Sequence, residues 1–210
     1  SNPVPCFLLR DTTLLRVVPM GGGKHIRMTL EKDGRAVTAV WFGQNPDCLP
    51  FEAGDTVDLL FQLGINEFQG RVSLQLIVQD AMPSRATRER YEQQQRRYEA
   101  LCAGAEYDSA EKVLPCREDV ASVYTFLRRE FRSGHSRFSL CRLLDVIRTG
   151  AGEPMSYSKL RFILRILQEL GICGVSEPEP EIFQFDIFPT TKTNLEKSLI
   201  LHRLRSRQIK

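Results

Sequence analysis

Six residues stand out for what their side chains could do together. Lys24, His25 and Arg27 follow directly on Gly21-Gly22-Gly23, and Trp41, Phe68 and Arg71 lie farther along the chain. Ammonium and guanidinium groups hold phosphates, and ring faces stack on flat heterocycles, so cations interleaved with aromatics suit an unpaired polynucleotide. A stacked base contributes roughly 1–3 kcal/mol, whereas the phosphate contacts weaken with salt. Trp41 lies between Val40 and Phe42, and in an alternating strand either it or Phe42 must face inward.

Bond-breaking chemistry has no comparable cluster. His25, His135 and His202 are far apart, and the sequence holds no nucleophile elbow, Walker loop or dinucleotide fingerprint. Asp55 and Asp58 could be pictured as paired carboxylates, but the start of a strand makes a solvated barrel rim the plainer reading. The cysteines Cys6, Cys48, Cys102, Cys116, Cys141 and Cys173 form no CxxC pair and have no histidine at zinc-ligand spacing, so no resident metal is expected. Scattered thiols without a secretory signal fit a reducing cytoplasm. The longest apolar runs, such as 39–42 and 59–61, fall far short of the roughly 18 residues of a membrane span.

The elements that would position these residues follow from length and pattern. The chain has 210 residues and 24.0 kDa, with 42% hydrophobic and 26% charged residues, which excludes disordered and collagen-like classes and leaves room for two small domains. Residues 7–18 read as one long strand, and Gly21-Gly22-Gly23 supplies a turn. From His25 to Glu31, Ile26, Met28 and Leu30 point one way and His25, Arg27 and Thr29 the other. Asp33-Gly34 signals a hairpin into a third strand over 36–42, and strands over 56–61 and 72–78 follow a Pro- and Gly-containing crossover. Five strands in this order predict a Greek-key barrel of the oligonucleotide-binding (OB) kind over residues 1–82, whose open face carries the candidate site.

Residues 83–103 read as a polar helix with a thin stripe of Tyr91, Tyr98 and Leu101, either a connector or a basic helix that touches phosphate, and 104–115 as a loop. Together 83–116 form the expected linker. Beyond it, helices are predicted over 117–131, from a cap at Ser139 to Gly150, and from a cap at Ser156 or Ser158 to Gly171. Strands over 172–175 and 182–188 then flank the acidic tip Glu177-Pro178-Glu179-Pro180, and a short helix covers 195–205. This is a winged-helix-like order for residues 117–210, and the fold class overall is α+β and multidomain. On its third helix Lys159, Arg161 and Arg165 are the cations available to a nucleic acid, but the glutamates of the wing would repel phosphate, which favours packing or partner docking over duplex reading. The net charge of +3 is concentrated at the end: residues 191–210 carry six Lys and Arg against Glu196, while 1–82 carry seven against nine acids.

Phe7-Leu8-Leu9-Arg10, Pro19 through Arg27, Val40-Trp41-Phe42-Gly43, Gly54-Asp55 and Ile65-Asn66-Glu67-Phe68-Gln69-Gly70 resemble the OB-fold domain of RecJ, the bacterial single-stranded-DNA-specific exonuclease of the DHH phosphoesterase family. More diffusely, Arg117-Glu118-Asp119, Leu167 through Gly171 and Asn194 through Ser198 resemble the domain that follows it. The resemblance implies a barrel that holds the strand beside an exonuclease groove, with single-stranded DNA as ligand. The alternative reading is an interaction module with little DNA binding of its own, whose residues 117–210 recruit a repair partner such as a single-strand-binding protein or helicase. It also implies that the catalytic domains, with their Mn or Mg ions, lie elsewhere in a longer protein, so that this segment alone would be inactive. The opening Ser1-Asn2, without an initiator methionine, reads as the trace of a cleaved tag on such a segment.

Overall fold

In the computed structural model, residues 4–68, 70–189 and 193–209 are described, apart from the side chains of Phe68 and Arg71. The chain divides into two compact units, residues 1–90 and 91–210.

The first unit is a closed barrel of β1 (Phe7–Met20), β2 (His25–Lys32), β3 (Arg35–Phe42), β4 (Thr56–Phe68) and β5 (Arg71–Pro83), in the order β1-β2-β3-β5-β4. Closure comes from β1 pairing with β4 and from a short parallel ladder between β3 and β5, Ala39 to Trp41 against Leu76 to Val78. The five expected strands are all present. Ile26, Met28 and Leu30 fill the interior together with Leu14, Val57 and Leu59, as the alternation requires. Gly21, Gly22 and Gly23 all adopt positive φ, between 57° and 86°, a conformation that glycine reaches easily, in the turn from β1 into β2.

Two features depart from expectation. The first is that β4 and β5 run longer than the hydrophobic pattern indicates: their ladder continues to Phe68 opposite Arg71, whereas β1 pairs with β4 no farther than Phe61 and β3 with β5 no farther back than Leu76. Residues 62–68 and 70–75 therefore form a two-stranded arm beyond the barrel. Leu63, Ile65, Val72 and Leu74 on it are exposed, Ile65 by 78%. The second is that Asp55 is no solvated rim residue. It is 2% exposed, accepts the Glu52 N–H and pairs with Arg90, while Asp58 accepts the N–H of Asp11 at a register break in β1. The carboxylates thus serve the barrel's own backbone.

Helix α1 (Arg85–Ala103) contributes residues to both units. Its first turn is fastened to β4: Thr87 Oγ1 donates to the Thr56 carbonyl at 2.9 Å, and Ser84 Oγ lies 2.5 Å from Thr56 Oγ1. Its second half, through Tyr98 and Leu101, belongs to the core of the second unit, as do Tyr107 and Val113 from the segment read as loop.

The second unit continues with α2 (Ala110–Val113), α3 (Arg117–Arg132), β6 (Arg137–Ser139), α4 (Leu140–Val146), α5 (Tyr157–Glu169), β7 (Cys173–Glu179), β8 (Ile182–Ile187) and α6 (Leu199–Arg205). A short strand that no pattern announced, β6, joins the hairpin to give an antiparallel sheet in the order β6-β8-β7. Ser139 and Ser156 cap α4 and α5 by accepting the N–H groups of Arg142 and Lys159. At α3 the cap is Cys116, paired reciprocally with Asp119. Gly150 passes so close to α3 that a Cβ there would lie 2.2 Å from Cβ of Glu118. Gly150→Ala is accordingly expected to destabilise this unit by about 1–3 kcal/mol, the usual range for overpacking. A thermal melt followed by far-UV circular dichroism would show it, and an unchanged melt would mean that the 148–154 loop yields freely.

No helix among the described residues is long and apolar enough to cross a membrane.

Candidate nucleic-acid interface

The outward face of the barrel is defined by register. His25, Arg27 and Thr29 of β2 point away from the core and lie opposite Phe42, Val40 and Thr38 of β3 on one side, and Met20, Val18 and Arg16 of β1 on the other. Lys24 stands exposed in the adjoining turn. The fold thus brings Lys24, His25 and Arg27 together, as expected, and adds Arg16 and Phe42. Among the described residues neither Arg16, Lys24 nor Arg27 is paired with a carboxylate, so their charge faces solvent.

Trp41 is a correction. It is 7% exposed and belongs to the barrel core with Leu14, Ile26 and Phe51, where it cannot stack on a base. Phe42 takes the outward place at 53% exposure and meets His25 edge to face, with centroids 5.2 Å apart and planes at 71°. Thr38 was the available signal: as the polar member of 36–42 it belongs outside, and the two-residue period then puts Ala39 and Trp41 inside and Phe42 outside. Arg16 carried no such signal, because the register shift between Leu14 and Arg16 turns one inward and the other outward although they are two residues apart. Phe68 and Arg71 belong to the arm by backbone pairing, but their side chains lie outside the described residues.

The second unit holds its cations differently. Lys159, expected on an exposed helix face, is buried and pairs with Asp119 at 2.9 Å, both side chains being less than a tenth exposed. Arg161 lies between the rings of Tyr98 and Phe183, 5.0 and 5.1 Å from their centroids, and reaches the carboxylates of Glu177 and Glu181. Arg165 donates to Tyr98 Oη and Cys102 Sγ. Leu160, Phe162, Ile163, Leu164, Ile166 and Leu167 are buried as well, so α5 is a core helix of this unit, and of its three cations only Arg165 is exposed. Burial raises the Glu181 carboxyl above its ordinary range against the opposing pull of the Tyr157 hydroxyl and Arg161, and the same burial, with the Glu181 contact, raises Tyr157. Glu177 and Glu181 are therefore structural partners of α5, while Glu179 pairs with Arg137 of β6.

Among the described residues no group of three His, Cys, Asp or Glu side chains is placed to hold a metal ion.

Residues 1–80 match the family model described as the RecJ OB domain. The chain carries a RecJ OB domain. Solved structures similar to it include RecJ from Thermus thermophilus in complex with Mg2+, at 22% identity over 38% of this chain and 12% of that one, with a TM-score of 0.30. The second single-stranded-DNA-binding protein of Mycobacterium smegmatis is 18% identical over 39% of this chain and 87% of its own, with a TM-score of 0.34. A replication protein A heterotrimer bound to single-stranded DNA is 14% identical over 37% of this chain and 54% of that chain, at 0.27. No curated protein matches the chain significantly. The chain spans about an eighth of the RecJ structure it resembles, and the residues matched by the family model, 1–80, include Lys24, His25, Arg27 and Phe42.

Proposed function

We propose that the RecJ OB domain holds single-stranded DNA by backbone charge and base stacking for a RecJ-like exonuclease whose catalytic DHH domains, with their Mn or Mg ions, lie in other parts of the protein. The observation that carries this reading is the outward β1-β2-β3 face, where Arg16, Lys24 and Arg27, without a carboxylate partner among the described residues, share one side of the barrel with the exposed Phe42 ring. Such a face adds affinity and processivity and performs no covalent step. The setting is cytoplasmic, in DNA repair and recombination.

A labelled oligonucleotide titrated by fluorescence anisotropy over a salt series tests it. Affinity is expected to fall steeply with salt, and Arg27→Ala to reduce the slope of log K against log salt by about 0.7, one phosphate contact on a single strand. Absence of single-strand binding even at low salt would leave the barrel with a purely structural role.

A second reading concerns residues 91–210. With Lys159 and Arg161 paired to carboxylates and only Arg165 exposed on α5, we read this winged-helix-like unit as one that packs or docks a protein partner, a single-strand-binding protein or helicase, without reading duplex DNA. An open groove of about 740 Å³, floored by Val120, Tyr124, Leu167 and Ile172 and edged by Arg117, favours docking.

A further inference from the structure

The His25 ring is held on three sides. Its Nδ1 accepts the backbone N–H of Gly43 at 3.0 Å. Phe42 meets it edge to face. On the third side lies Gly21, with φ of 57°, where a Cβ would stand 3.0 Å from His25 Cδ2 and 3.6 Å from Nε2. Any larger residue at 21 would press on the ring beside its Nε2, and L side chains rarely adopt that backbone conformation.

The Gly43 N–H can only donate, so Nδ1 must present a lone pair to it. In a neutral imidazole the single proton then resides on Nε2, and the ring offers a donor, not an acceptor, to whatever approaches. That donor neighbours the exposed Phe42 ring and lies on the same strand face as Arg27.

We infer that His25 is an oriented, uncharged hydrogen-bond donor of the strand-binding face, its Nε2–H directed to an oxygen of the nucleotide stacked on Phe42, with Gly21 and Gly43 as its positioning residues. This rests on the reading that the face holds single-stranded DNA. It divides the face into two chemically distinct parts. Arg16, Lys24 and Arg27 act through counterion release and lose strength in salt. A neutral donor releases no counterion and imposes direction, so its contribution persists as salt rises. The acceptor is an oxygen of the polynucleotide, either phosphate or base carbonyl.

The test compares the wild-type chain with His25→Ala, His25→Asn and His25→Gln by anisotropy at two salt concentrations, on oligo-dT and on an abasic strand of equal length. Long-range 1H–15N correlation of the imidazole in the wild-type chain accompanies it. The expected spectrum shows an unprotonated Nδ1 and a protonated Nε2. His25→Ala is expected to weaken oligo-dT binding about 3- to 10-fold, the span of one neutral hydrogen bond, with the salt slope unchanged. His25→Gln places an amide N–H near the lost Nε2 and should recover most of that affinity, while His25→Asn, which replaces only the Nδ1 acceptor, should bind like His25→Ala. A deficit that persists on the abasic strand assigns the acceptor to phosphate, and one that disappears assigns it to a base oxygen. The inference is overturned by a protonated Nδ1, by a salt slope that drops as it does in Arg27→Ala, or by His25→Gln binding no better than His25→Ala. Failure of the wild-type chain to bind any single strand at low salt would instead refute the reading of the face, and the role of His25 with it, whatever the tautomer.

Discussion

Phe42→Ala is expected to lower affinity for single-stranded DNA roughly 5- to 150-fold, the equivalent of the 1–3 kcal/mol that one base–aromatic stack contributes. The ring is exposed and its neighbours on β3 are already packed without it, so the barrel should keep its stability. Trp41→Ala should do the reverse. It empties an indole-sized volume in the barrel core and removes about 3–5 kcal/mol of barrel stability. Trp41 is the sole tryptophan, so in the Phe42 variant its fluorescence reports the barrel alone, and denaturant unfolding can be followed beside the binding titration. Loss of binding together with an early fluorescence transition in Phe42→Ala would mean that the ring supports the fold and is not a stacking platform.

Asp119→Ala is expected to remove about 3–5 kcal/mol from the second unit, because it strands a buried lysine. The Asp119 carboxylate accepts from Lys159 Nζ, from Gly150 N–H at 2.9 Å and from Cys116 N–H at 3.1 Å, so it joins α3, α5 and the 148–154 loop at one point. Burial alone would raise its pKa, yet the hydrogen bonds from Lys159, Gly150 and Cys116 outweigh it and hold the carboxyl below its usual range. The sign of the pH dependence follows. A group whose folded pKa is depressed contributes its full stabilisation above the unfolded value, near pH 4, and loses it as pH falls through the folded value. Acid unfolding of the helical unit should therefore set in below about pH 4 in the wild type, and this step should be blunted in Asp119→Asn, which keeps shape without titrating. The paired replacement Asp119→Leu with Lys159→Met should recover much of what Asp119→Ala loses, since it leaves no unpaired charge. Circular dichroism during a denaturant titration measures both. An Asp119→Ala chain as stable as the wild type would show that Lys159 reaches water in the variant.

The strand count, the inward set Ile26, Met28 and Leu30, the glycine turn and the caps at Ser139 and Ser156 were legible in the sequence, and so was the cluster Lys24, His25 and Arg27. Each depends on neighbours close in the chain: a period of two residues, a φ that only glycine reaches easily, a hydroxyl three residues before the N–H it accepts. The orientation of Arg16 is of another kind, since the bulge that sets it exists only because β1 must pair with β2 and β4 at once. The length of the β4–β5 arm, likewise, depends on where β1 and β3 stop pairing and not on the residues of the arm.

What the sequence determined by itself, then, is local geometry and the kinds of group on each face of each strand and helix. Which cations remain free was decided by tertiary structure alone. Lys159 and Arg27 both follow helix or strand periodicity and both read as surface charges. Asp119, 40 residues away, reaches Lys159 in the fold, whereas no described carboxylate pairs with Arg27. Charge is a property of a residue, but its neutralisation depends on a partner that only folding brings within hydrogen-bond distance.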